Sequence, residues 1–332
     1  MREHRLTTFI RTKNVFQHRL KDLKDYNTVK VYVYELNALN CNHGPLLWHL
    51  KQRGEITYDR KGNFKAVKRG PIDLSLLEIT KRKDKPVVQL TDLHLWMREQ
   101  LRFVELPGVR KRDVPVYFQA FLAHRDKNLK QFFSVDSFSG RVHTPVVNLK
   151  GELRFSLRFH GEKVVSLDVK QMQPTILAKV LNESCGPNSF SDAIFNGEDV
   201  YVHLQRHAGM ATRSEAKKYL FQLIFGKPMN DIGKMFKGNT KWVDWINEYK
   251  SSTENKNPHK EHRHTNLAWL LQYSEVQVMS QVWRKLMEAK IPFLTIHDEL
   301  LCLPKDKDVA NKILSDELKL HFKHFTVNVD SK

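Results

Sequence analysis

Asp168 and Asp298 lie about 130 residues apart, and between them Arg213, Lys217, Phe221 and Phe225 recur at every fourth position. Asp168 closes the apolar run Val164-Val165-Ser166-Leu167. Asp298 stands in His297-Asp298-Glu299, between Leu294-Thr295-Ile296 and Leu300-Leu301-Cys302-Leu303. A carboxylate at the end of a buried strand is costly unless a metal or a partner meets it. Transfer of a phosphoryl group from a triphosphate uses two divalent cations, roughly 3.5–4 Å apart, held by carboxylates. Mg²⁺ prefers a few carboxylates plus phosphate oxygens to a closed protein cage. Asp168 and Asp298 are therefore the candidate catalytic residues and metal ligands, for two Mg²⁺ ions with Mn²⁺ as a substitute. On a helix, positions 213, 217, 221 and 225 share one face. Two cations there suit a triphosphate, and the two aromatics beyond them suit its base.

These residues need elements to hold them. Val164–Leu167 reads as a short buried strand. Met172–Leu181 has helical spacing, with Pro174 in its first turn. Val200–His207 and Ser214–Phe225 are further helices, the second capped at Thr212-Arg213-Ser214 and closed by Gly226. A polar, Lys-rich stretch runs to about His264 and reads as loop. Leu267–Ala289 is a long helix, Pro292–Ile296 and Leu300–Leu303 form a hairpin, and Asp308–His321 is a final helix. Upstream, Glu152–Phe159 alternates as a strand before the turn His160-Gly161-Glu162-Lys163. The first half is mixed: a strand at Val29–Leu36, a short helix at Pro45–Gln52, and a hairpin over Thr57–Lys68 around Lys61-Gly62-Asn63. It ends with a helix over Leu90–Phe103 capped at Asp92, a break at Pro107-Gly108, and the segment Val114–Ala123. The order predicts an α+β fold with an antiparallel sheet carrying the site. Residues 1–135 form an N-terminal domain and residues 136–332 the catalytic domain.

The formal charge of +18 and pI near 9.7 over 332 residues point to a polyanionic partner, most simply nucleic acid. The 37 acidic residues make this a mixed surface and not a disordered basic tail. Cys41, Cys185 and Cys302 are too scattered for a disulfide framework or a zinc site, which implies a reducing, intracellular setting. No apolar run reaches the roughly 18 residues of a membrane span. The basic N-terminus lacks a secretory core, and organelle targeting stays open beside a nucleoid-associated location. His259, His262 and His264 lack a Cys or acidic partner at ligand spacing and read as a basic loop.

The segments around Asp168, Arg213–Gly226 and His297-Asp298-Glu299 resemble motifs A, B and C of the family A (repair-polymerase-like) DNA polymerases, relatives of the single-subunit phage RNA polymerases. The resemblance covers roughly residues 136 to 330. The second motif of that family runs Arg, Lys, Phe and Tyr at every fourth position, then Gly; here the series is Arg213, Lys217, Phe221, Phe225 and Gly226. Ser139-Gly140-Arg141 resembles the Thr-Gly-Arg segment of the family, which implies that Arg141 contacts the primer-template minor groove. The resemblance likewise implies that Gln272 touches the template strand and that His297 positions the primer 3′ end. Five residues after its first-motif Asp the family carries a Glu that gates the sugar, and here Gln173 stands in that place. Phe221 is the DNA-polymerase choice, since the phage RNA polymerases place Met there. Phe225 lacks the hydroxyl that those RNA polymerases use to read the sugar. The interval of 85 residues from Arg213 to Asp298 is short for the family and implies reduced fingers.

The resulting expectation is a palm with reduced helical fingers and an N-terminal thumb or adaptor, acting on primer-template nucleic acid and dNTPs as a DNA-directed DNA polymerase in DNA replication. No carboxylate cluster in residues 1–135 suggests a proofreading nuclease. The rivals are an RNA-synthesising polymerase or primase on the same palm, which Gln173 keeps open, and a non-catalytic nucleic-acid-binding replication protein. Protein partners are unspecified.

Overall fold

Within the stretch that alternates over Thr57–Lys68, β1 (Ile56–Tyr58) pairs antiparallel with β2 (Phe64–Ala66). The computed structural model describes residues 52, 56–58, 64–66, 88–228, 241–253, 257 and 263–331. The strand expected at Val29–Leu36 lies outside them, as does the helix expected at Pro45–Gln52 save its last residue. The chain forms two compact units, residues 1–87 with 115–120 and residues 88–114 with 121–332. That division follows packing, whereas the sequence boundary near 135 follows motif content.

The second unit begins with α1 (Asp92–Gln100). Its cap is Thr91, not Asp92 as expected: the Thr91 hydroxyl accepts from the His94 amide while the His94 ring accepts from the Thr91 amide. β3 (Val104–Glu105) follows; α2 (Val116–His124) is divided between the units after Ala120, and the small hairpin of β4 (Ser134–Val135) and β5 (Val142–His143) belongs to the second. The strand expected over Glu152–Phe159 is mostly helical turn: α3 (Gly151–Arg154) precedes β6 (Arg158–Phe159). A strand would place Leu153, Phe155 and Leu157 on one face, yet Phe155 is 59% exposed while Leu157 is fully buried. The turn instead points Arg154 inward, where Nη1 donates to Glu299 at 3.0 Å. β6 then turns back into β7 (Glu162–Lys163) through positive φ at His160 and Gly161.

The main sheet contains β8 (Val165–Val169), β9 (Phe293–Ile296), β10 (Glu299–Cys302) and β11 (Val327–Ser331) in the order β11-β8-β10-β9, antiparallel throughout. Between β8 and β9 the described residues form helices: α4 (Met172–Cys185), α5 (Ser189–Phe195), α6 (Val200–His207), α7 (Arg213–Phe225), α8 (Lys241–Ser251) and α9 (Asn266–Glu288). After β10 comes α10 (Lys307–His321), and β11 returns to the sheet. The architecture is α+β, as the sequence predicts. α9 is the spine: it packs on α1, α4, α7, α8 and α10, burying Leu267, Leu271, Met279, Val282 and Leu286. Every residue of β9 and β10 is buried, so both faces of that hairpin are covered. Trp96 of α1 covers β9, its ring 5.3 Å from that of Phe293.

Candidate active site

β8 ends where the β9–β10 hairpin turns. Glu299 is the register partner of Asp168, and the Val169 amide donates to the Asp298 carbonyl at 3.3 Å. The hairpin loop is two residues long, His297 and Asp298, and His297 takes φ 60°, the left-handed backbone that such tight loops require at their first position. On the other side of β8, Asn328 of β11 is paired in register with Asp168 and donates Nδ2–H to its Oδ2 at 3.4 Å. The two aspartates, distant in sequence, therefore occupy neighbouring strand ends.

The electrostatics agree with that proximity. Burial pushes the Asp298 carboxyl well above its ordinary range, and the negative charges of Glu275 and Asp168 push it the same way. A cation held between the carboxylates would offset that repulsion. The donors are carboxylate oxygens, which suit Mg²⁺ or Mn²⁺. Among the described residues no group of three or more His, Cys, Asp or Glu side chains forms a metal cage. A pair of aspartates would leave the remaining positions to water and substrate oxygens, which fits a hard cation that keeps part of its hydration.

α7 carries Arg213, Lys217, Phe221 and Phe225 along one face, as expected. Thr212 and Glu215 cap it reciprocally, while Ala216, Leu220, Leu223 and Ile224 bury the opposite stripe. Arg213, Lys217 and Phe221 are exposed, and the Phe221 and Phe225 rings stack at 5.5 Å. Arg213 forks onto Asp199, with Nη2 at 2.7 Å and Nε at 3.0 Å from Oδ2. Asp199 in turn caps α6 through the Tyr201 and Val202 amides. Arg213 and Lys217 both lie over the Tyr201 ring, at 4.9 and 5.7 Å. Burial raises the Tyr201 hydroxyl to about 12, opposed by Arg213 and reinforced by Asp199 and Asp298. Tyr201 thus lies under the cationic face of α7 and senses the charge of Asp298.

The far end of α7 is held by a lysine. Lys250 of α8 is 1% exposed and donates Nζ–H bonds to the Leu223 carbonyl and, at 2.8 Å, to that of Gly226. These satisfy acceptors that a helix C-terminus otherwise leaves open. Burial brings the Lys250 ammonium down to about 8.

On the opposite side, Asp136 organises the turn that presents Arg141. It accepts from the Phe138, Ser139 and Gly140 amides and from His143. Burial works against its ionisation, but the His143 and Ser139 hydrogen bonds outweigh it and set the carboxyl at about 2. Gly140 has φ 83° and packs against Val276 of α9. Arg141 then forms an ion pair with Glu275, a nearly fully buried residue of α9 that also accepts from Gln173. Gln272, half-buried, lies one turn before Glu275 on the same face. The His143 and His297 rings meet edge to face at 6.2 Å, and burial followed by Arg141, His143 and Arg154 drives His297 down to about 4. His297 is therefore neutral at ordinary pH.

The fold sets Asp168 and Asp298 at neighbouring strand ends, joins Gln173 and Arg141 at Glu275, puts His297 against His143, and holds Arg213 and Lys217 over Tyr201. Tyr201, Asp199 and Glu275 have no part in the sequence reading. An acid in the interior stripe of a long helix, as at Glu275 between Leu271 and Met279, is the signal that could have found the third.

No family model matches the sequence, and no curated protein matches it. Among solved structures, the chain is similar to the POL domain of Pol1 from M. smegmatis in complex with DNA primer-template and dNTP, at 15% identity and a TM-score of 0.45. The match covers 65% of this chain and 53% of that one, so the chain spans about half the length of the structure it matches.

Proposed function

We propose that this chain is a template-directed nucleotidyltransferase, most simply a DNA polymerase that adds deoxynucleotides to a primer 3′-hydroxyl on nucleic acid without proofreading. One observation supports it above the others: the β8–β10 register pairs Asp168 with Glu299, the residue after Asp298, and the Asp168 charge helps to raise the Asp298 carboxyl. A structural turn aspartate has no need of a second carboxylate pressing on it from the next strand.

Asp168 and Asp298 would hold two Mg²⁺ ions, which when bound lower the pKa of the primer hydroxyl and screen the departing pyrophosphate. The residues of the chain do the rest. Arg213 and Lys217 bind the triphosphate and offset the charge that builds on the leaving group. Phe221 and Phe225 offer a stacked aromatic surface to the incoming base. Gln173 faces the sugar, and His297 orients the primer end as a neutral ring. Arg141 and Gln272 line the primer-template side. The net charge of +18 supplies the attraction for the phosphate backbone.

Primer extension on a DNA hairpin with Mg²⁺, in parallel dNTP and rNTP lanes beside Asp298→Asn, tests this. Incorporation that disappears in Asp298→Asn supports the proposal. Incorporation within a few fold of wild type in that variant would overturn it, and tight hairpin binding with no extension in any lane would favour a binding protein.

A further inference from the structure

Glu275 has partners from two sides of the site. Arg141 clamps it with Nε and Nη2 at 3.0 and 2.7 Å from Oε1 and with Nη2 at 2.7 Å from Oε2. Gln173 donates Nε2–H to Oε2 at 3.0 Å. The Glu275 side chain is 2% exposed and that of Arg141 14%. A guanidinium engaged through two nitrogens matches an ionised carboxylate, and an ionised carboxylate can only accept hydrogen bonds. Gln173 can therefore meet Glu275 only through its NH₂ group, and its carbonyl oxygen has to face the other way. The twofold ambiguity of a glutamine amide is removed by the chemistry of its neighbour.

That carbonyl oxygen, Gln173 Oε1, is buried and has no hydrogen-bond partner among the described residues. Buried acceptors are nearly always satisfied, so an unmet one asks for water or a ligand group with a hydrogen to give. Gln173 sits in the first turn of α4, five residues after Asp168, beside the place where the proposed reaction puts the sugar.

We propose that Glu275 is a positioning residue for sugar selection: it fixes the Gln173 amide so that a carbonyl oxygen is offered to the substrate, an acceptor that a ribose 2′-hydroxyl satisfies and a deoxyribose leaves unmet. The substrate class this adds is ribonucleoside triphosphates, used alongside dNTPs. The inference rests on the polymerase reading above. A Glu275 carboxylate is needed because its amide isostere can donate as well as accept, and it would let the Gln173 amide turn over.

The test compares ATP with dATP opposite template thymine, as relative kcat/KM, in wild type, Gln173→Met and Glu275→Gln. Equilibrium binding of the same two nucleotides is measured in parallel, with Ca²⁺ in place of Mg²⁺. Gln173→Met should lower the ATP-to-dATP ratio by about 3- to 10-fold, the change that one neutral hydrogen bond carries. Glu275→Gln should lower it in the same direction, and the double variant should add nothing further. An unchanged or raised ratio in Gln173→Met, with dATP still incorporated, overturns the role of the amide. Should wild type extend with neither nucleotide, the polymerase reading fails and the binding arm decides: an ATP preference lost in both variants supports the Glu275–Gln173 device, and equal affinities throughout overturn it.

Discussion

The Val169 amide donates to the Asp298 carbonyl at 3.3 Å, so the strand that carries one aspartate is tied directly to the turn that carries the other. The bond runs through backbone and is indifferent to side-chain rotamers. A shift of the hairpin therefore carries β8 with it, and the separation of the two aspartate backbones is a property of the sheet.

Asp298→Asn should abolish nucleotide incorporation while the protein stays folded. It should also change how stability depends on pH. Burial, Glu275 and Asp168 hold the folded Asp298 carboxyl above its ordinary value. A raised carboxyl favours the fold at acid pH and loses that contribution as pH climbs through the folded value. Metal-free wild type should lose thermal stability over that rise, and Asp298→Asn should flatten the slope. Mg²⁺ should protect wild type more than the variant. Melting curves from pH 4 upward, with and without Mg²⁺, check all three.

Arg213→Ala and Lys217→Ala should act mainly on the nucleotide, lowering kcat/KM for dNTP by roughly 10- to 100-fold, the scale of one or two charge-assisted contacts. Arg213→Lys should recover only part of this, because an ammonium cannot reproduce the fork onto Asp199. Steady-state kinetics at saturating primer-template would show the loss.

Asp199→Ala removes both the cap of α6 and the partner of Arg213. A cap of this kind is worth about 1 kcal/mol. The expected result is a lower melting temperature together with a raised KM for the nucleotide. Thermal unfolding with parallel KM determination reads both, and a drop in stability with KM unchanged would separate Arg213 from substrate.

Lys250→Met leaves the Leu223 and Gly226 carbonyls buried without their donor and should cost about 1–3 kcal/mol. The pH signature is specific. With the folded ammonium near 8 and the ordinary value at 10.5, the unfolded chain binds more protons between those limits. Stability contributed through this group should therefore rise with pH across that window, and the rise should vanish in Lys250→Met. Urea denaturation at pH 7.5, 9 and 10.5 measures it.

Much of this was legible beforehand because local signals and tertiary demands coincide. α6 begins and ends where the spacing of Val200–His207 places it, and α9 and α10 are shifted from expectation by one residue at each boundary or less. The hairpin around Asp298 follows from two apolar runs too close together for anything but a tight turn. The misses have physical reasons. α8 lies in a stretch dominated by Lys and Asn, and its buried stripe of Trp242, Val243 and Ile246 ends on a lysine, Lys250. β11 shows just two valines in alternation, and what makes it a strand is the free edge of β8, which no local pattern announces. Glu275 carries little local signal, because an acid in a helix reads as solvated and the partner that buries it, Arg141, lies 134 residues upstream.

The position of β8 also sets a timetable. It is flanked by β10 at 299–302 and β11 at 327–331, so both of its neighbours belong to segments made more than 120 residues after it. A ribosome releases Asp168 into solution with neither edge of its strand covered. Until the distal segments emerge there is no sheet on which to set the second aspartate, so the pair of carboxylates is assembled only after nearly the whole chain has been made.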